Sequence, residues 1–274
     1  MTAGATAPTA GTTDQTTAHD HRLRWWREVL YVAAFYFLYS YVRNQFGSAS
    51  VGAEEALANA VRVIDVEHAV GLYHEEALQE LFLDQRWFIQ AWNVFYGTFH
   101  FVVTAAALVW TFRRFPARYR LWRNVLALTT GLALIGFATF PLMPPRLLPD
   151  SFGYVDTLVD YGGLWSFDSD AMKAVSNQYA AMPSLHCAWS LWCSFVLVPE
   201  VRRRWVKGLL VAYPVATLFA VMVTANHYWL DAVGGYLVLA GGYLLARPLT
   251  RWQERAGQAR TGDAGVTPAR PGTR

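Results

Sequence analysis

The chain has 274 residues, 54% of them hydrophobic and 15% aromatic but only 16% charged, with a formal charge of +3. Soluble domains carry roughly 25% charged residues, so this is the composition of a membrane protein. The net charge is too small to suggest a nucleic-acid footprint, and no nucleic-acid partner is expected.

Residues 1–20 are rich in Thr, Ala, Gly and Asp and have no apolar core, which argues against a cleaved signal peptide and for an unstructured tail. Residues 251–274 read the same way, with added Arg and Pro. Between them lie six apolar runs that reach or approach the roughly 20 residues needed to cross a bilayer. They fall at about 25–42, 87–112, 125–143, 179–198, 205–225 and 227–246, and Arg27 and Glu28 shorten the apolar part of the first. No alternating strand pattern and no repeat of 20–50 residues interrupts them. The expected fold is therefore all-α, a polytopic membrane protein with a six-transmembrane-helix bundle in one domain over residues 21–250.

The segment 51–86 differs in kind. Leu57, Val61, Ile64, Val66, Leu72, Leu78, Leu81 and Phe82 alternate with Glu, Asp and His, a pattern that suits amphipathic helices lying along the interface. Asp65, Glu67, His68, His74, Glu75 and Glu76 read as a solvated acidic face. They lack the HExxH spacing that would favour metal ligands, and no metal is expected. His100, alone among apolar neighbours near Tyr96, reads as a hydrogen-bonded interior residue. Cys187 and Cys193, six apart on one run, face nearly opposite ways and read as free, buried thiols.

Charge distribution orients the bundle. With six spans, Arg43, Arg62, Arg86, Arg146 and Lys173 fall on one side, and the remaining Lys and Arg crowd the other with both termini. The positive-inside rule makes the crowded side cytoplasmic. The expectation is an integral protein of a bacterial-type plasma membrane, with both termini cytoplasmic and any site formed by residues 146, 186 and 227 on the outer face.

Three stretches bring polar groups to that face. Pro144-Pro145-Arg146-Leu147-Leu148-Pro149 stiffens the backbone beyond the third span and holds a guanidinium at the mouth of the bundle, where it can grip a phosphate. Lys173 is a weaker phosphate ligand, because Asp168 and Asp170 offer it ordinary partners. In Met182-Pro183-Ser184-Leu185-His186 the Pro and Ser mark a helix start with Ser184 as cap, so His186 sits in the first turn, beside a helix N-terminus that attracts anions. On the sixth run His227 and Asp231 are four apart, a spacing that stacks them on one helical face. Asp231 then accepts from one ring nitrogen of His227 and leaves the other as nucleophile or base. Ionisable groups at membrane depth are costly, and this makes them functional candidates.

These stretches resemble a known family. Pro183-Ser184-Leu185-His186 and His227-Tyr228-Trp229-Leu230-Asp231 look like the second and third signature motifs of the type-2 phosphatidic acid phosphatase superfamily. Leu185, the His-Tyr start and the Pro-Pro-Arg loop look more like its inositol phosphorylceramide synthase (aureobasidin-resistance) branch. The resemblance covers the bundle from about Trp25 to Ala246. It implies an enzyme that cleaves a membrane-lipid phosphoester, with inositol, another small alcohol or water as acceptor. In the implied roles His227 attacks phosphorus, Asp231 orients it, His186 protonates the departing oxygen and then activates the acceptor, and Arg146, Ser184 and Lys173 bind the phosphoryl oxygens. No metal or other cofactor is needed on this reading. The phosphatase pattern has Lys seven residues before the motif Arg and Pro directly after it, where this chain has Thr139 and Leu147; ahead of the third-motif His it has Ser-Arg, where this chain has Ala220-Val221. The two missing cations lean the reading toward transfer. The competing readings are a transporter or flippase using the His and Asp groups as a proton relay, and a haem held by His100 and His227.

Overall fold

The computed structural model describes residues 25–46, 52–162 and 178–264. The expected tail at 1–20 and Lys173 lie outside these residues. Among the described residues nine α-helices follow in chain order: α1 (Trp25–Phe46), α2 (Ala53–Ala69), α3 (Glu75–Leu83), α4 (Arg86–Arg114), α5 (Pro116–Thr139), α6 (Thr157–Asp160), α7 (Leu185–Leu197), α8 (Arg204–Val223) and α9 (Trp229–Ala264). Among the described residues there is no strand, only an isolated bridge between Leu142 and Ala180. The all-α membrane fold read from the sequence is the observed one.

Among the described residues four helices are long and apolar enough to cross a bilayer: α4, α5, α8 and α9 through Gln258. The sequence reading expects six, and the difference lies in α1 and α7. Helix α1 has 22 residues, but Arg27 and Glu28 at one end and Arg43, Asn44 and Gln45 at the other dilute its apolar stretch. Helix α7 begins only after Pro183 and Ser184 and has 13 residues, about 20 Å at 1.5 Å each, against a hydrocarbon core of about 30 Å. At the other limit, α9 continues to Ala264, into the segment expected as a tail. Asn124 Nδ2 on α5 donates to Thr250 Oγ1 and to Gln253 Oε1, both at 2.9 Å, and ties this extension to the bundle.

Helix α9 packs most extensively against α5, and α7 lies among α4, α8 and α9. Glycines allow the close approaches. A Cβ at Gly242 would overlap Thr129 of α5, and one at Gly235 would overlap the Ser184 carbonyl at the start of α7. The outward faces of α4, α5, α8 and α9 carry Phe101, Val102, Ile135, Leu209, Val215, Leu237 and Leu244, all exposed, as lipid contact requires.

Helices α2 and α3 cover one end of the bundle. Ala56, Asn59, Ala60, Val63, Ile64 and Glu67 are the buried stripe of α2, and the i, i+3, i+4 spacing is that of an amphipathic helix. This stripe packs on Leu142, Met143, Leu148, Tyr154 and Tyr228. Asn59 Nδ2 donates to the Pro141 carbonyl at 2.9 Å. Val61, Val66, Val70 and Leu81 stay exposed on the other side. One expectation for this segment fails. Asp65, His68 and His74 are exposed, but Glu67 and Glu75 are fully buried, so the acidic residues do not form one solvated face.

Candidate active site

The 141–156 loop after α5, the start of α7 and the turn from α8 into α9 meet under the α2–α3 cover. That turn is built from its own polar groups. Asn226 and His227 amides both donate to the Val221 carbonyl, at 2.9 and 3.3 Å. Asn226 Nδ2 donates to Thr224 O and Oγ1 at 3.1 and 2.8 Å, and Ala225 takes the left-handed conformation with φ of 52°. Such short-range side-chain bonds end a helix and fix the direction of the next segment.

The turn delivers His227, which is 4% exposed, ahead of α9 and not on it, because the helix starts at Trp229. The expected pairing still forms. His227 Nδ1 lies 3.1 Å from Asp231 Oδ2, and that oxygen also accepts the Tyr228 amide at 2.9 Å. The carboxylate oxygen can only accept, so Nδ1 carries the proton and Nε2 the lone pair. Asp231 is fully buried, and its backbone carbonyl accepts the Ser184 amide at 2.8 Å. One residue therefore positions both His227 and the start of α7.

Ser184 caps α7, its Oγ accepting the Cys187 amide at 3.4 Å, and its side chain is buried. His186 follows in the first turn. Its ring lies 5.6 Å from that of His227, near enough for one phosphoryl group to touch both. No hydrogen bond of the ring is recorded among the described residues; aromatic faces hold it, with Tyr96 stacked at 4.3 Å and His100 edge-on at 4.1 Å between centroids. His100 is buried and its Nδ1 lies 2.9 Å from the Tyr96 carbonyl, which is the hydrogen-bonded interior role expected of it. Phe95, Tyr96, His100, His186, Thr217, Ala220 and Val221 line a narrow crevice between α4, α7 and α8. Cys187 and Cys193 are free and buried, as expected.

Arg146 approaches His227 from the loop. Its amide donates to the Ala225 carbonyl at 2.8 Å, Nε to Asn226 Oδ1 at 3.0 Å, and Nη1 to Asp156 Oδ2 at 2.6 Å. Nη2 has no partner among the described residues. Asp156 is itself fixed, its Oδ1 accepting the Leu158 amide at 3.1 Å as the cap of α6. The structure thus gathers Arg146, Ser184, His186, His227 and Asp231 at one end of the bundle.

Three neighbours were not legible. Asn226 adjoins the motif His, but nothing in its type signals contact with a residue eighty positions away. Asp156 stands in an irregular loop without diagnostic spacing. Tyr96 belongs to an apolar run and differs from its other aromatics only in where the fold puts it. Among the described residues no group of three or more His, Cys, Asp or Glu is arranged to hold a metal ion.

A family model described as PAP2 superfamily matches residues 61–245, more than half of the chain and the whole of this site. No curated protein and no solved structure matches it. The chain belongs to the PAP2 superfamily, a family of membrane phosphatase- and phosphotransferase-type enzymes.

Proposed function

We propose that this PAP2-superfamily member is a metal-independent lipid phosphotransferase or phosphatase that works through a phosphohistidine on His227, with its site on the outer membrane face. The observation that carries the reading is the oriented dyad, His227 Nδ1 to Asp231 Oδ2 at 3.1 Å, within one phosphoryl group's reach of His186. In the first step the Nε2 lone pair attacks phosphorus. The bond from phosphorus to the lipid oxygen breaks, and His186 gives that oxygen a proton. In the second step His186 takes a proton from the acceptor, whose oxygen attacks phosphorus while the bond to Nε2 breaks and its electron pair returns to His227. Asp231 stabilises the imidazolium character that His227 gains while phosphorylated.

Phosphoryl transfer asks chiefly for positioning and charge stabilisation. Arg146 supplies a guanidinium already aimed by Asp156 and Asn226. The amide end of α7 supplies a partial positive charge. Ser184 is part of that end by capping it, and Lys173 is the remaining phosphate ligand in the proposal. Ala220 and Val221, both fully buried beside the crevice, stand where the phosphatase pattern has a polar residue and a cation. An apolar wall there disfavours a small, highly charged monoester and favours a lipid diester with an alcohol acceptor, such as inositol, as in the inositol phosphorylceramide synthase-like branch.

The test is to incubate purified protein with a panel of phospholipids and lipid phosphates, with and without myo-inositol, and to identify products by mass spectrometry. A new headgroup that forms only with added alcohol identifies a transferase, and free phosphate or diacylglycerol without one a phosphatase. No product from any lipid would overturn the enzyme reading and return the His and Asp groups to a transport role.

A further inference from the structure

Glu67 on α2 and Glu75 on α3 are both fully buried and lie together over the start of α9. Each accepts one of the free amides of that helix end: Leu230 donates to Glu67 Oε1 at 2.7 Å and Trp229 to Glu75 Oε1 at 3.2 Å. The second oxygen of Glu75 accepts the His74 amide at 3.0 Å. The second oxygen of Glu67 is buried with no partner among the described residues, and the Glu75 carboxyl is the neighbouring acid that acts on it.

Two carboxylates cannot hydrogen-bond each other, because both only accept; one proton between them turns the contact into an O–H donor and an acceptor. The other groups facing the pair do not offset a second negative charge. Tyr73 and Tyr154 lie beside it, as do Glu76 of α3 and Tyr228 ahead of α9, and the charged groups acting on Glu67 are Glu75 and Asp231, both acidic. Burial first, then the bond to Glu75, pushes the Glu67 carboxyl up to about 9.

We propose that Glu67 and Glu75 form an acid–carboxylate pair that shares one proton and clamps the first turn of α9, so that they are positioning residues for the His227–Asp231 dyad. The clamp acts through the backbone. Trp229 and Leu230 immediately precede Asp231, whose carboxylate holds His227 and whose carbonyl holds the Ser184 amide, two residues before His186. Losing the shared proton sets two negative charges against each other in a dry site, releases the amides and disturbs both histidines together. This inference rests on the reading of His227 and His186 as the reacting pair.

The test compares pH profiles and a direct titration. Glu67→Gln keeps an acceptor for the Leu230 amide and replaces the shared proton with an N–H that does not titrate near neutrality. In the wild type kcat is expected to fall as pH rises past the raised Glu67 value of about 9. In Glu67→Gln most of the neutral-pH turnover survives and that alkaline fall disappears, whereas Glu67→Ala loses at least about tenfold in kcat with KM little changed. The same alkaline fall in wild type and Glu67→Gln overturns the proposal. Infrared difference spectra of the wild-type protein give a reading independent of turnover and of any variant's folding. A protonated-carboxyl band that persists at pH 7 and titrates away on the alkaline side supports the pair even if no lipid is turned over, and its absence overturns it.

Discussion

The two ends of the bundle handle buried charge in opposite ways. At the end away from the site, acids meet cations. Arg123 Nη1 holds Glu28 Oε1 at 2.7 Å, Tyr119 donates to the second oxygen of Glu28 at 3.0 Å, and Arg118 pairs with Glu200 across the loop between α7 and α8. At the site end Arg146 is committed to Asp156, and the buried acids Glu67, Glu75 and Asp231 are served by amides, by a histidine and by each other. A cation–acid pair keeps its charge across the physiological range. A carboxyl held by amides and a neighbouring carboxyl depends on one proton. The far end anchors helices, and the site end gathers the groups proposed to move protons and phosphoryl groups.

The sharpest way to break this contrast is at the dyad. His227→Ala is expected to abolish turnover and the acid-labile phosphoenzyme while folded protein still accumulates in the membrane. Asp231→Asn leaves the site filled but loses tautomer control, and a fall of about 100- to 10,000-fold in kcat is expected from steady-state assays. Wild-type rates in either variant would remove the catalytic assignment. Arg146→Lys replaces a fork aimed by Asp156 and Asn226 with a point charge. A loss on the order of 10- to 100-fold is expected, equivalent to about 1.4 to 2.7 kcal/mol of transition-state binding. Asn226→Ala, which removes the Nε acceptor and the Nδ2 bonds to Thr224 but keeps the guanidinium and its Asp156 partner, should cost less than Arg146→Lys on the same substrate.

A middle-sized effect concerns stability against pH. Glu67 has an ordinary carboxyl pKa when the chain is unfolded and is raised to about 9 in the fold. Between these values the folded state holds a proton that the unfolded state has released. Its contribution therefore falls as pH rises from about 4.5 towards 9, by at most about 1.4 kcal/mol per pH unit, and is flat above. Melting temperatures in detergent should decline more steeply across this window for the wild type than for Glu67→Gln. Parallel slopes would show that Glu67 does not hold that proton.

How much of this was legible follows from which signals are local. Apolar runs give the spans because each is read from its own residues, and cap chemistry gave Ser184 and hence the place of His186. The i, i+4 spacing found the His227–Asp231 pair although its stated basis was off: His227 lies in a turn, and the contact comes from that turn folding back over the helix start. Length misjudged α7, because the apolar run at 179–198 counts residues that lie in the loop and cap before the helix. The acidic segment misled most. Glu67 and Glu75 look solvated in sequence, since no local pattern announces that the first turn of a helix more than a hundred residues later needs two acceptors. Asp156 was missed for the same reason, as its partner Arg146 is fixed by tertiary contact and not by spacing.

The smallest effect belongs to the far end, and its smallness is the point. In the Arg118–Glu200 pair the side chains are 38% and 16% exposed, so water screens the attraction and both long side chains give up rotamer freedom to make it. Arg118→Ala should cost between about 0 and 1 kcal/mol, read as a shift of a few degrees or less in melting temperature, with kcat and its pH profile unchanged. Arg123→Ala should cost somewhat more, because its Glu28 partner is only 13% exposed and would be left with the Tyr119 hydroxyl alone, again without moving the pH profile. An altered alkaline limb in either variant would mean that the two ends are coupled through α5 and α9, and that the anchoring end also tunes the dyad.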